Sequence, residues 1–115
     1  MGSGGGRVTS IKRALQAGHA VVFGADVDQA FLAYSGEGII GPPGGAIAGG
    51  HAMCIVGYDH ESFTIVNSWT ESWGDGGFAR LSAEYVGSDY ATDFWIVAGW
   101  DRLREQFNAR SEVVA

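Results

Sequence analysis

The chain has 115 residues, of which 46% are hydrophobic and 17% are charged, and its formal net charge is −6. This composition is typical of one globular domain and excludes a disordered chain. Seven basic residues without a basic run disfavour nucleic acid and membrane surfaces as partners, and a single cysteine excludes an internal disulfide framework. No apolar stretch is long enough to cross a bilayer, and the first six residues do not resemble a signal peptide. We therefore expect a soluble protein, and the sequence does not indicate its cellular compartment.

The N-terminal part of the chain alternates helical and strand patterns. Residues 1–8 are rich in glycine and are expected to form a flexible leader. The apolar spacing predicts a short helix over Ile11–Ala17, which Gly18 ends, and then a buried strand over Ala20–Ala25. A second short helix is expected over Asp26–Tyr34.

A long loop and a set of strands follow. Residues 36–50 are rich in glycine and contain both prolines, which indicates a loop long enough to have a function of its own. The pattern then predicts strands at His51–Tyr58, Phe63–Val66 and Phe78–Leu81, a helical turn at Ser82–Tyr85, a strand at Phe94–Ala98 and a surface helix at Asp101–Asn108. Together these elements indicate an α+β fold with a mostly antiparallel sheet, divided into a leader at 1–8, one domain at 9–100 and a C-terminal helix and tail at 101–115.

Two polar residues lie at the ends of the densest strand patterns. His51 opens an apolar run, and Asn67 ends the next strand just before Ser68 and Trp69. An imidazole can act as a general base near neutral pH, and an amide side chain can orient it. A lone histidine at the start of a strand is more often structural, so the pair has weight only together with the motifs around it.

These motifs resemble the second half of papain-like cysteine peptidases. In that family a histidine opens a strand ending Val-Gly-Tyr, a second strand ends Asn-Ser-Trp, and Trp-Gly-x-x-Gly with an aromatic residue follows. The corresponding runs here are Gly50–Tyr58, Ile65–Trp69 and Trp73–Phe78. The resemblance implies an antiparallel sheet or half-barrel with short flanking helices, like the right-hand subdomain of these peptidases.

The resemblance also implies roles for individual residues. His51 would be the general base, Asn67 would accept a hydrogen bond from its far ring nitrogen, and Trp69 would shield that bond from water. Trp73 would line the primed side of the substrate cleft, and Gly50 would border the unprimed subsites. Packing is the alternative role for both tryptophans. The chain shows no ligand spacing typical of a metal site and implies no cofactor, so we expect neither.

The chain lacks a cysteine placed to serve this pair. In the family the nucleophilic cysteine opens a helix in the first half of the fold, and the 50 residues before His51 contain no cysteine. Cys54 lies three residues after His51, so strand alternation directs the two side chains to opposite faces, with Cα atoms about 10 Å apart. We therefore expect Cys54 to be a buried, inert thiol on the face of Ala52 and Val56.

Three functions remain open, and none gives the chain activity on its own. The missing nucleophile favours a non-catalytic binding or assembly module, which buries its uncovered cleft face against a protein or peptide partner or by self-association. The presence of both His51 and Asn67 favours a cysteine peptidase whose Cys-bearing half is a separate chain or was removed. The third function is an inhibitor-like or receptor-like decoy of peptidases.

Overall fold

The computed structural model describes residues 4–67 and 73–97, which form five strands and three helices. In chain order these are α1 (Gly4–Gln16), β1 (Ala20–Val27), α2 (Gln29–Leu32), β2 (Gly49–Tyr58), β3 (Ser62–Asn67), β4 (Phe78–Ser82), α3 (Ala83–Val86) and β5 (Ala91–Val97). The strands form one sheet in the order β4-β3-β2-β1-β5, and every neighbouring pair is antiparallel. The α+β class and the antiparallel sheet are confirmed.

One face of the sheet, which we call the inner face, carries the hydrophobic core. Side chains alternate along a strand, so Val21 and Phe23 of β1 share this face, and both are buried. Ile55 and Met53 of β2 lie directly opposite them and are buried as well. The helices cover this face with a further set of buried side chains: Ile11, Ala14, Phe31, Tyr85 and Val86. Each large apolar side chain contributes about 1.5–3 kcal/mol on burial, which makes this layer the main source of stability.

Helix α1 begins earlier than its sequence pattern indicates. It starts at Gly4, so residues 4–8 of the expected leader are helical. Thr9 and Ser10 lie inside this helix, where their hydroxyls donate hydrogen bonds to backbone carbonyls one turn earlier. Glycine disfavours a helix by about 0.5–1 kcal/mol per residue relative to alanine, and for this reason the local sequence favoured a coil. The helix start depends on tertiary contacts that a sequence window does not show.

Arg7 makes the main tertiary contact at the start of α1. Its Nη1 donates hydrogen bonds to the carbonyl oxygens of Val86 at 3.2 Å, Ser88 at 2.8 Å and Ala91 at 3.1 Å. The guanidinium also lies 4.8 Å from the centre of the Phe94 ring, a cation–π contact. One side chain therefore connects the first helix to the segment between α3 and β5.

Replacing Arg7 with alanine is expected to lower the free energy of unfolding by about 2–3 kcal/mol, because three backbone carbonyls lose a charged donor. Urea denaturation followed by tryptophan fluorescence measures this loss. Arg13→Ala is the matched control, since Arg13 is exposed on the same helix and its removal is expected to cost only about 0.3–1 kcal/mol. Equal losses in the two variants would contradict the anchoring role of Arg7.

The second helix is shorter than predicted at both ends. Asp26 continues β1 and pairs with Gly50 of β2, so the sheet register overrides the helical pattern there. Asp28 then caps α2, because its Oδ1 accepts a hydrogen bond from the Phe31 amide at 3.0 Å. The predicted helix at Asp26–Tyr34 is corrected to Gln29–Leu32, with Phe31 buried as its anchor.

The predicted strands from His51 onward lie inside β2, β3, β4 and β5, and the predicted turn at Ser82–Tyr85 corresponds to α3 with Ser82 as its cap. The predicted helix at Asp101–Asn108 and the end of the last strand lie outside the described residues. The division into domains stays a prediction. In the described part of the chain no helix combines the length and apolarity that crossing a membrane requires.

Candidate active site

Strands β2 and β3 bring His51 and Asn67 together. The register pairs Met53 with Asn67, which places His51 two residues away on the same face and diagonally across from Asn67. The two side chains meet: His51 Nε2 is in hydrogen-bond contact with Asn67 Oδ1. Two residues that lie 16 apart in the chain thus form one polar unit at the end of the sheet.

The chemistry of this contact selects one form of the imidazole. An amide oxygen only accepts hydrogen bonds, so Nε2 of His51 must carry the proton that it shares with Asn67. In the neutral ring Nδ1 is then the basic nitrogen. Asn67 is 5% exposed whereas His51 is partly exposed, so the amide is held inside the fold and the ring extends toward solvent. The arrangement is that of an oriented base with its basic nitrogen defined.

The backbone beside His51 is braced by a contact that the sequence pattern did not reveal. Gly50 pairs with Asp26 of β1, and the carbonyl of Asp26 accepts a hydrogen bond from the Tyr85 hydroxyl at 2.6 Å. Burial, followed by the charges of Asp28 and Asp26, raises the pKa of Tyr85, so the phenol stays protonated and remains a donor. Tyr85 lies 59 residues from Asp26, and no local pattern links the two.

The glycine-rich segment lines a cavity together with α2. A cavity of about 710 Å³ lies between α2 and this loop, and its lining includes Tyr34, Glu37 and Pro42. Asp28 ties the loop to α2, because its Oδ2 accepts a hydrogen bond from the Gly44 amide at 3.2 Å. His51 does not line this cavity, so the loop function suspected from the sequence stays a separate prediction.

The structure describes two of the three other predicted site residues, and one of these two is exposed while the other is buried. Gly50 is exposed at the start of β2, directly before His51, and its bordering of substrate stays a prediction. Trp73 is only 8% exposed; its indole nitrogen donates to the Phe31 carbonyl at 3.1 Å and its ring stacks on Phe31. These are packing contacts, and they favour the alternative role over a place on the cleft wall. Trp69 lies outside the described residues.

Cys54 lies on the face opposite to His51, as strand alternation predicts. The register places Cys54 between Val22 of β1 and Val66 of β3, on the outer face of the sheet. The expectation of a buried thiol needs correction: the helices cover the inner face, so Cys54 is only half-buried. Partial burial nevertheless raises the pKa of the Cys54 thiol above its ordinary value, which lowers its reactivity.

Among residues 4–67 and 73–97, no three histidine, cysteine, aspartate or glutamate side chains lie close enough together to hold a metal ion.

Known proteins share this arrangement of sequence and fold. The family pattern of the papain family cysteine proteases matches residues 3–94. An uncharacterized peptidase C1-like protein of Acanthamoeba polyphaga mimivirus is 37% identical over 98 residues, which are 79% of this chain and 32% of that protein. The cathepsin B-like cysteine proteinase 3 of Ostertagia ostertagi is also 37% identical, over 64% of this chain and 44% of its own length.

Solved structures extend the likeness to the fold. Xylellain, a cysteine protease from Xylella fastidiosa, superimposes with a TM-score of 0.61 at 31% identity, over 73% of this chain and 34% of xylellain. The chain thus spans about a third of the length of the mimivirus protein and of xylellain. Because the family pattern covers most of its residues, the chain belongs to the papain family of cysteine proteases.

Proposed function

We propose that this chain supplies the base-bearing part of a cysteine-peptidase active site and acts when a thiol from outside these 115 residues is brought to His51. The observation that supports the proposal is the contact between His51 Nε2 and Asn67 Oδ1. A packing role for His51 would not require a buried amide acceptor that selects one tautomer of the ring. The contact favours the peptidase interpretation over the non-catalytic module.

The proposed reaction is the hydrolysis of a peptide bond. His51 Nδ1 takes the proton of the incoming thiol, and the thiolate attacks the carbonyl carbon of the peptide bond. The resulting imidazolium returns the proton to the leaving amine as the C–N bond breaks, which leaves a thioester. Water, deprotonated by the same imidazole, then attacks the thioester and releases the acid and the thiol. Asn67 keeps the ring in one orientation throughout.

The chain alone is expected to hydrolyse no peptide, because its only thiol does not face His51. Cys54 lies on the outer face, whereas His51 shares the inner face with Met53. The imidazole and the sulfur need to come within about 3–3.5 Å for proton transfer, which opposite faces of one strand do not allow. The raised pKa of Cys54 also keeps its thiol protonated. Hydrolysis therefore requires a second source of thiolate.

The test joins the chain to a thiol-bearing segment from a relative. A fusion is made in which this chain replaces the matched third of xylellain, and fluorogenic peptides are offered to the fusion and to the isolated chain. We expect hydrolysis by the fusion and none by the isolated chain. A fusion that is folded, as judged by circular dichroism and size, but hydrolyses no peptide would contradict the proposal.

The second candidate is the non-catalytic binding or assembly module. The observation that favours it is the half-buried Cys54, which has a raised pKa and lies on the face of the sheet opposite to His51. Under this function, His51→Ala and Asn67→Ala are expected to leave partner binding intact. A folded fusion that is inactive while the chain still binds its partner is the result that would select this candidate.

A further inference from the structure

The position of His51 in the sheet depends on β1. Among the described residues, β3 pairs with β2 no further than Met53, which lies opposite Asn67. The described sheet partner of His51 is Ala25 of β1. The two residues before His51 are exposed glycines, which have no side chains to pack against the fold. The place of the imidazole is therefore set by how firmly the end of β1 is fixed.

The end of β1 directs its backbone polar groups to two sides. In an antiparallel strand the N–H and C=O of one residue point to the same side, and successive residues alternate. The Val27 carbonyl faces β2 and accepts a hydrogen bond from the Ala48 amide at 2.8 Å. The Asp26 amide points the other way and donates to the Tyr90 carbonyl at 2.8 Å. The Asp26 carbonyl lies on that same side, so its donor has to come from outside the β1–β2 pair.

Tyr85 supplies the donor that the neighbouring strand does not. Continuing the β1–β5 register beyond Ala25 and Ala91 would pair Asp26 with Tyr90, and the Tyr90 amide would then donate to the Asp26 carbonyl. That amide donates instead to the Ser88 hydroxyl at 3.2 Å. The Tyr85 hydroxyl takes its place and donates to the Asp26 carbonyl at 2.6 Å. A side chain of α3 thus completes the hydrogen bonding of β1 where its pairing with β5 ends.

This bond fixes a peptide group that also belongs to the β1–β2 pair. The Asp26 carbonyl and the Val27 amide are parts of one planar unit and point in opposite directions. The Val27 amide therefore faces β2, where the register partner of Val27 is Gly49. A donor on the Asp26 carbonyl sets the orientation of this amide, opposite a point two residues before His51.

The Tyr85 side chain is itself well fixed. It is 1% exposed, and its backbone amide donates to Ser82 Oγ at 3.0 Å. Arg7 donates to the carbonyl of Val86, the next residue, at 3.2 Å. The phenol therefore reaches Asp26 from a helix that is anchored on both sides of it.

We propose that Tyr85 is a positioning residue for His51. Its hydroxyl completes the hydrogen bonding at Asp26, and the strand end fixed in this way places the imidazole against the Asn67 amide. The consequence for hydrolysis rests on the proposed function, whereas the placement of the ring is a property of the isolated chain. The alternative is a buried phenol that only satisfies its own hydroxyl on the nearest carbonyl.

Tyr85→Phe removes the hydroxyl and keeps the ring. In the isolated, isotopically labelled chain, the NMR shifts of the two ring nitrogens of His51 report which of them carries the proton. We expect the Nε2–H form to dominate in the unaltered chain, because Asn67 Oδ1 accepts that proton. In Tyr85→Phe we expect the population of the Nδ1–H form to rise about threefold or more, since the ring loses its alignment with the amide. An unchanged tautomer in folded Tyr85→Phe would overturn the proposal.

Tyr34→Phe is the matched control. The Tyr34 hydroxyl also donates to a backbone carbonyl, that of Gly38 at 2.8 Å, but Gly38 lies in the glycine-rich loop and not in β1 or β2. We expect the His51 tautomer to stay as in the unaltered chain. An equal change in both variants would show that the loss of any phenol bond disturbs the ring, and Tyr85 would have no specific role.

The fusion with xylellain supplies the measurement of catalysis. There Tyr85→Phe is expected to lower kcat about tenfold with little change in KM, since a displaced base acts on the reacting atoms. A changed tautomer in the isolated chain, together with a folded fusion that hydrolyses no peptide even with Tyr85 present, supports the positioning role and contradicts the peptidase. Full kcat with an unchanged tautomer contradicts the positioning role alone.

Hydrogen exchange of the unaltered chain replaces these measurements should Tyr85→Phe not fold. The Gly87 amide, bonded to the Ala83 carbonyl at 2.9 Å, reports the opening of α3, and the Ala48 amide reports the end of the β1–β2 pair. We expect both amides to lose protection in the same opening step, because Tyr85 joins the two parts of the fold. An Ala48 amide that stays protected while α3 opens would overturn the proposal.

Discussion

In the active fusion, His51→Ala is expected to lower kcat/KM by about 10²–10⁴-fold, because the variant loses the group that takes the proton of the thiol and returns it to the leaving amine. The measurement is the initial rate of hydrolysis of a fluorogenic peptide across a range of substrate concentrations. We expect the loss mainly in kcat, since the imidazole acts on reacting atoms rather than on the bound peptide.

Asn67→Ala separates positioning from proton transfer. The imidazole remains in this variant but loses the acceptor on Nε2, so both tautomers and several ring orientations become accessible. We expect a smaller loss than for His51→Ala, and a shift of the pH profile, which a purely structural substitution would not cause. Asn67→Asp restores an acceptor at the same place and is expected to recover part of the rate.

His60→Ala is the control for the loss of a histidine. His60 lies in the turn between β2 and β3, and its side chain is 89% exposed. Its ring nitrogen faces Glu61, whereas the Asn67 amide is in contact with His51. We expect full activity from this variant. If His51→Ala and His60→Ala retain the same rate, the fusion does not use His51 as its base and the proposed function fails.

The sequence predicts the placement of the site residues better than it predicts the ends of the helices. Strand alternation and the order of motifs were enough to bring His51 and Asn67 to neighbouring strands and to direct Cys54 to the opposite face, because both follow from a period of two along β2. The start of α1 was missed, since its glycines disfavour a helix locally and the compensating Arg7 contacts lie about 80 residues away.

Burial was the other quantity that the sequence did not determine. The run from Ala52 to Val56 is apolar on both faces, so its composition does not show which face the helices cover. The register decides this: Met53 and Ile55 lie in the core, whereas Cys54 is half-buried on the outer face. Trp73 shows the same limit, since the motif that suggested a cleft residue fits a packed one equally well.

A substitution at Gly74, in the turn between β3 and β4, is expected to cause a large loss of stability. Its φ is +63°, and a Cβ placed there would lie 2.5 Å from the carbonyl oxygen of Phe78. Gly74→Ala therefore combines a left-handed backbone with a contact to main-chain atoms that has no room to relax. We expect the free energy of unfolding to fall by about 3 kcal/mol or more, measured by urea denaturation.

Gly76 provides the matched comparison within the same turn. Its φ is +60°, nearly that of Gly74, but a Cβ there would meet nothing within 4 Å. Gly76→Ala isolates the cost of the left-handed conformation, about 1–2 kcal/mol, and the difference between the two variants measures the steric contact alone. Losses of equal size would show that the turn moves to accommodate the methyl group.

Gly74→Ala also tests how the turn supports the candidate active site. The carbonyl of Gly77 accepts a hydrogen bond from the backbone amide of Asn67 at 3.0 Å, and Asp75 N donates to the Phe78 carbonyl at 2.9 Å. A turn that is forced open by Gly74→Ala therefore withdraws the acceptor that holds the backbone of Asn67. In the fusion we expect kcat to fall in this variant even at temperatures where it remains folded, whereas Gly76→Ala keeps its rate. Full activity of a folded Gly74→Ala fusion would show that Asn67 is held in place without this turn.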